Sequence, residues 1–167
     1  MDVSALNQGS ILWSYLSSGQ RELVIDGALL VEDREKHPDQ RLSDYSYLVF
    51  PYAKLYEGFL KQLFLDLKII REQEYLGEHF RVGKVLSPNL AHLLKAKSAY
   101  GQLAKTYGQE VADKLWFAWK QGRNMVFHYF PHNLRRLSYD DAEVVIMEIV
   151  AAMEYAVTIT GVKHTRG

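Results

Sequence analysis

The chain has 167 residues, and its 20 Lys plus Arg balance 20 Asp plus Glu, so a uniformly basic nucleic-acid coat, a polybasic membrane module and an acidic tail protein are all excluded. Apolar residues make up 48% and aromatic ones 13%, with only 4 prolines, a supply that fills one sizeable core and argues against disorder. Cysteine is absent, which removes disulfides, thiolate nucleophiles and every Cys-based metal centre and agrees with a reducing compartment.

No basic residue precedes Arg21, so the start lacks the charged region of a secretory leader. The apolar runs 47–53 and 144–153 are broken by Lys54 and Glu148 and fall far short of a membrane span. A cytoplasmic protein with no membrane partner is expected. The first 31 residues hold two apolar stretches interrupted by Gly9, Gly19 and Gly27, read as helix, and a polar loop is expected over 32–44. From 42 to 70, Leu48, Tyr52, Leu55, Phe59 and Leu63 recur at helical spacing, while Lys54, Glu57, Lys61 and Lys68 form a polar stripe. Pro51 is expected to kink or start this helix.

Residues 71–87, with Gly77 and Gly83, read as loop, and Ser87 and Pro88 then supply N-cap and N1 for a helix to about Thr106. After Gly108, Val111, Leu115 and Trp119 mark a helix to about Gln121, and Pro131 closes the segment that follows. The last helix has Ser138 as cap, Asp141 in the capping-box position, Asp140 and Glu143 in its first turn, and Ala142, Ile146, Ile149, Met153 and Ala156 as core stripe. No repeat or long linker divides the chain. The expected fold is all-α: one domain over 1–167, an up-and-down bundle of four core helices spanning about 42–160, with 1–41 as an N-terminal addition.

Residues 121–131 read Gln-Gly-Arg-Asn-Met-Val-Phe-His-Tyr-Phe-Pro, in which Arg123, Asn124 and His128 are polar groups in an apolar run. On a helix, Asn124 and His128 share a face and Arg123 lies about 100 degrees round, within reach of both. An imidazole that titrates near neutrality and a guanidinium that binds phosphorane charge are what RNA cleavage without a metal requires, and Asn124 can orient either. The other reading is a satisfied core network that caps carbonyls and pairs with a carboxylate.

Arg-Asn-x-x-x-His ahead of the final helix of an all-helical chain resembles the R-x(4 to 6)-H signature of the HEPN superfamily of endoribonucleases and nucleotide-binding domains. Upstream, Tyr47-Leu-Val-Phe-Pro-Tyr-Ala-Lys-Leu-Tyr-Glu57-Gly-Phe-Leu-Lys61 is similar to the corresponding helix of the RnlA/LsoA (RNase LS) toxins. The resemblance covers about 42–160. It implies a HEPN-like bundle and a metal-independent endoribonuclease of a prokaryotic toxin-antitoxin or phage-defence pair. Arg123 and His128 would be catalytic, supported by Glu57 and Asp44. It further implies a homodimer whose two motifs share a cleft, and a cognate antitoxin protein. The alternative within the family is a non-catalytic domain that binds RNA or nucleotides or scaffolds a dimer. Relatives silenced by nucleotidyltransferase antitoxins carry His-x-Tyr, whereas His128 here precedes Tyr129 and Phe130.

Glu57 also stands four residues before Lys61, the spacing of an exposed ion pair, and Asp44 beside Ser43 suits a helix N-cap. Asp44 and Glu57 reach one site only if Pro51 bends the chain. Of the aromatic group Trp116, Phe117, Trp119, Phe127, Tyr129 and Phe130, most are expected in the core, with Tyr129 the foremost candidate to stack on a base. Lys120, Arg135 and Arg136 are candidates for phosphate contacts. His128 and His132 are spaced by four, but Pro131 intervenes, so no metal site is expected, and no Gly-rich loop calls for a nucleotide cofactor. Between Asp113 and Asp140 lie 26 residues with no acid and five cations, which leaves 15 basic against 20 acidic residues elsewhere. The neutral total thus conceals a cationic segment around the motif.

Overall fold

A computed structural model describes residues 6–163, and within them every regular element is helical. Ser10 caps the short helix α1 (Ile11–Tyr15), its side chain accepting from the Trp13 amide at 3.0 Å. Ser17 and Gln20 form a reciprocal capping box that starts α2 (Ser18–Lys36). This helix runs through the first part of the stretch read as polar loop. Val24, Gly27 and Val31 place a buried stripe on it, and the loop begins only after Lys36. Gly27 lies flat against the Tyr52 ring, where a Cβ would collide, so α2 and α3 (Ser46–Asp66) approach closely at that point.

Helix α3 is the centre of the bundle. Leu48, Val49, Tyr52, Leu55, Tyr56, Phe59, Leu60, Leu63 and Phe64 are all buried, so it is covered on nearly every side, by α2, α9 (Tyr139–Thr160) and the short helices α4 (Glu72–Leu76) and α5 (Val82–Val85). A narrow strip through Tyr47, Phe50, Lys54, Glu57 and Lys61 reaches solvent. Lys68 is not part of that strip, because the helix ends at Asp66 and Lys68 takes a positive φ of 59°. The helix passes through Pro51 from a start five residues earlier, so Pro51 neither begins it nor divides it.

The single helix expected from Ser87 to Thr106 is instead a series of short pieces. A 3₁₀ turn (Pro88–Leu90), α6 (Ala91–Leu94) and a second 3₁₀ turn (Lys95–Lys97) precede α7 (Ala99–Tyr107). Lys95 breaks the run at φ 50° and ψ −121°, and the buried Ser98 caps α7 by accepting from the Gly101 amide at 3.0 Å. Gly108, at φ 101°, turns the corner into α8 (Gln109–Trp119), a conformation that favours glycine. Helix α8 packs on α7 and α9, and the buried Tyr56 hydroxyl ties it to α3 by donating to the Leu115 carbonyl at 2.8 Å. Burial holds that phenol far above its usual pKa.

Helix α9 follows the sequence reading closely. Ser138 and Asp141 form the capping box, Ala142, Ile146, Ile149, Met153 and Ala156 are buried, and Gly161 closes the end at φ 61°. The fold is an all-α bundle with α2, α3, α8 and α9 as its long members. Leu12, Tyr15, Leu16, Val24 and Val31 lie in the same core as α3 and α9, so among the described residues packing draws no boundary between 6–41 and the remainder. Among the described residues no helix is long and apolar enough to cross a membrane.

Candidate functional site

At the end of α8 the helix widens into a π-helical turn, Lys120–Met125. A π turn inserts a residue into the helical ladder, is rare, and often occurs at functional sites. Gly122 lets this one lie close to α9. It is buried against α9, and a Cβ there would lie 2.5 Å from Ile149 Cδ1. The widened turn therefore presses its backbone on α9, and Arg123 is carried to the side of α3.

Arg123 Nε donates to Glu57 Oε2 at 3.3 Å, joining residues 66 apart in sequence. The guanidinium carbon also stands 5.7 Å from the centre of the Trp119 ring. With side chains 41% and 35% exposed, the ion pair is screened by water and contributes at most about 1 kcal/mol. Its consequence is orientation. Glu57 holds the Nε side of the guanidinium, and within the described residues the two terminal nitrogens make no hydrogen bond, so they remain able to grip an oxyanion in bidentate fashion.

A cavity of about 340 Å³ opens beside the pair, lined by Phe50, Ala53, Lys54, Glu57, Arg123 and Phe127. Phe50 and Phe127 meet edge to face, with centroids 5.7 Å apart and planes at 87°, and both remain substantially exposed. Lys54 adds a second cation. Phe50, Lys54 and Phe127 are site residues that the sequence reading passed over. Positions 50, 54 and 57 follow a helical four-then-three spacing on one face of α3, so an exposed Phe and Lys on the face of Glu57 was the available signal.

Among the described residues no hydrogen bond joins Arg123, Asn124 and His128, and Arg123 pairs with Glu57 instead. The chain leaves the helix through a turn at Val126 and Phe127 and bends at His128, so Asn124 and His128 never share a helical face. Two causes act together: the π turn alters the angular period, and Pro131 draws Phe130 into an extended conformation at φ −94° and ψ 149°. Asn124 and His128 are both exposed, and His128 is not among the residues lining the Arg123 cavity. Glu57 turns to Arg123 rather than to Lys61, so the local ion pair allowed by spacing is not made.

Asp44 is placed apart from that cavity. Its carboxylate accepts from the Ser46 amide at 2.9 Å, the Ser46 hydroxyl at 2.6 Å, Asn133 Nδ2 at 3.2 Å and the Leu137 amide at 3.3 Å. The Tyr45 amide adds a bond to the Leu137 carbonyl at 3.0 Å. Asp44 thus clasps the start of α3 to the loop ahead of α9, and it is not among the residues that line the Arg123 cavity. Burial raises the Asp44 pKa, but the hydrogen bonds from Ser46, Asn133 and Leu137 outweigh it and hold the carboxyl below its ordinary value.

The clasped loop includes a 3₁₀ turn, Pro131–Asn133, where His132 and Asn133 take positive φ values of 60° and 52°. Arg135 is folded back onto the π turn, donating to Met125 Sδ at 3.1 Å and lying 4.3 Å from the centre of the Phe130 ring. Lys120, Arg136 and Tyr129 face solvent, Tyr129 at 80% exposure. Among the described residues no group of three or more His, Asp or Glu is placed to hold a metal ion. Compared with protein-family models, curated proteins and solved structures, the chain matches none.

Proposed function

We propose that the protein is a metal-independent endoribonuclease of the HEPN type, acting as the toxin of a prokaryotic toxin-antitoxin or phage-defence pair. The observation that carries this reading is the Glu57–Arg123 pair beside a cavity of about 340 Å³, a size within the range that holds small-molecule groups such as a nucleotide. The two residues come from the two stretches that bear the family resemblance, so separate parts of the sequence converge on one wall. The 2′-oxygen of RNA would attack the adjacent phosphorus, forming a P–O2′ bond as the P–O5′ bond breaks, and leave a 2′,3′-cyclic phosphate and a 5′-hydroxyl. Arg123 neutralises the charge that builds on the phosphorane, and His128 removes or supplies the proton. A homodimer would bring a second His128 to serve as the complementary acid.

One observation favours a second reading, a non-catalytic HEPN domain that binds RNA or scaffolds a dimer: His128 stands outside the lining of the Arg123 cavity. Incubation of the purified protein with single-stranded RNA in EDTA separates the two. Cleavage by the wild type, lowered about 100-fold or more in His128→Ala and in Arg123→Ala, is the expected result. Absence of cleavage by the wild type, or equal cleavage by wild type and both variants, would favour the second.

A further inference from the structure

A second cavity, of about 660 Å³, shares no residue with the Arg123 site. Three pieces of chain enclose it: the stretch that follows α3 together with α4, residues 79–85 leading into and along α5, and the turn at Leu94–Lys97 at the end of α6. Arg71, Arg81, Lys84 and Lys97 stand round its mouth, all exposed, while Ile70, Phe80 and Val85 supply an apolar floor. Only Glu74 among the lining residues is acidic, and it already faces Arg71 at 3.7 Å. Among the described residues no carboxylate pairs with Arg81, Lys84 or Lys97, although the molecule has acids enough to do so.

The sequence explains why. Between Glu78 and Glu110 there are 31 consecutive residues without an acid, and they carry Arg81, Lys84, Lys95, Lys97 and Lys105. The fold then converts this local excess into a concave surface. Lys95 adopts φ 50° and ψ −121°, a conformation that a residue with a Cβ rarely takes, and this sharp turn brings Ala96 and Lys97 onto the cavity wall. Unpaired cations in a concave wall focus a positive potential and attract a polyanion. An apolar floor with a half-buried aromatic ring is of no use to an inorganic anion, but it suits an unstacked base.

We propose that this cavity binds single-stranded RNA, with backbone phosphates on Arg81, Lys84 and Lys97 and a base laid on the floor at Phe80. The site rests on the reading of the protein as an RNA enzyme and supplies what the Arg123 cavity lacks, an extended cationic surface that holds the strand. A fluorescently labelled strand of about ten nucleotides with 2′-O-methyl groups, which block attack by the 2′-oxygen, measures binding without cleavage. Fluorescence anisotropy in EDTA should show the triple variant Arg81→Ala/Lys84→Ala/Lys97→Ala binding about 10-fold or more weakly than wild type. Its dependence of log affinity on log salt should fall by about 2, since each phosphate contact on a single strand contributes roughly 0.7. In the unmutated protein, ultraviolet cross-links should map to residues 79–97, and an abasic strand of equal length should bind less tightly than the complete one.

Equal affinity of wild type and triple variant, cross-links confined elsewhere, or no binding by the wild type would each overturn the proposal. If ordinary RNA is left intact while the methylated strand still depends on the three cations, the nuclease reading fails and this site stands. If ordinary RNA is cleaved and the triple variant binds as the wild type does, this site alone fails.

Discussion

Asp44 and Glu57 show how two acids on one stretch of sequence acquire different work. Glu57 faces a single cation through water-screened space, whereas Asp44 collects four hydrogen bonds from Ser46, Asn133 and Leu137. Bonds to a charged acceptor contribute a net of about 1.5–3 kcal/mol each where water is excluded, and Asp44 is partly exposed, so Asp44→Ala should lower stability by about 1–3 kcal/mol. The pH dependence has a definite sign. Because the folded carboxyl lies below its ordinary value of 3.8, its contribution is complete above that value and disappears as pH falls through the folded pKa. Urea unfolding of wild type and Asp44→Asn should therefore differ fully at pH 6 and converge below about pH 4. A difference that persisted unchanged at low pH would show that the carboxylate charge is not what the clasp uses.

Among the elements, the π turn Lys120–Met125 governs the Arg123 site, and Gly122 governs the turn. Gly122→Ala drives a methyl group against Ile149, and overpacking of this sort costs about 1–3 kcal/mol. A thermal melt should register that loss, and on the nuclease reading proposed above the same variant should also cleave RNA less well, through displacement of Arg123 from Glu57; a melt unchanged from wild type would mean that α9 yields freely. Helix α3 was legible in the sequence through its long apolar period, and α9 doubly so, because its apolar period and its capping box state the same thing twice. Ser87–Thr106 was misread because Ser-Pro signals a helix start with equal strength whether one turn follows or five, and nothing in local propensity announces the backbone reversal at Lys95. For the site, Arg123 and Glu57 were identified separately, but their contact is long-range. The π turn that carries Arg123 packs its Gly122 on α9, a contact that the period of α8 does not contain.

At the scale of the molecule, charge is segregated. The acid-free windows 79–109 and 114–139 hold ten cations between them, which leaves 10 basic against 20 acidic residues in the rest of the chain. One window lines the larger cavity and the other carries Arg123, so the neutral total is the sum of two cationic regions and an acidic remainder. Apolar burial is equally concentrated, on α3, and α9 supplies Ala142, Ile146, Ile149, Met153 and Ala156 to the shared core. A chain truncated after residue 137 should accordingly lose its cooperative melt and aggregate on size exclusion, whereas a soluble truncated chain with a sigmoidal melt would show that α3 is adequately covered by α2 alone. The separation of Glu57 from Arg123 by 66 residues has a further consequence during translation. Glu57 leaves the ribosome long before its partner, and Ile149, on which the π turn rests, emerges later still. A half-made chain therefore carries one wall of the cavity and no site, so whatever chemistry the pair performs begins only after α9 has been made.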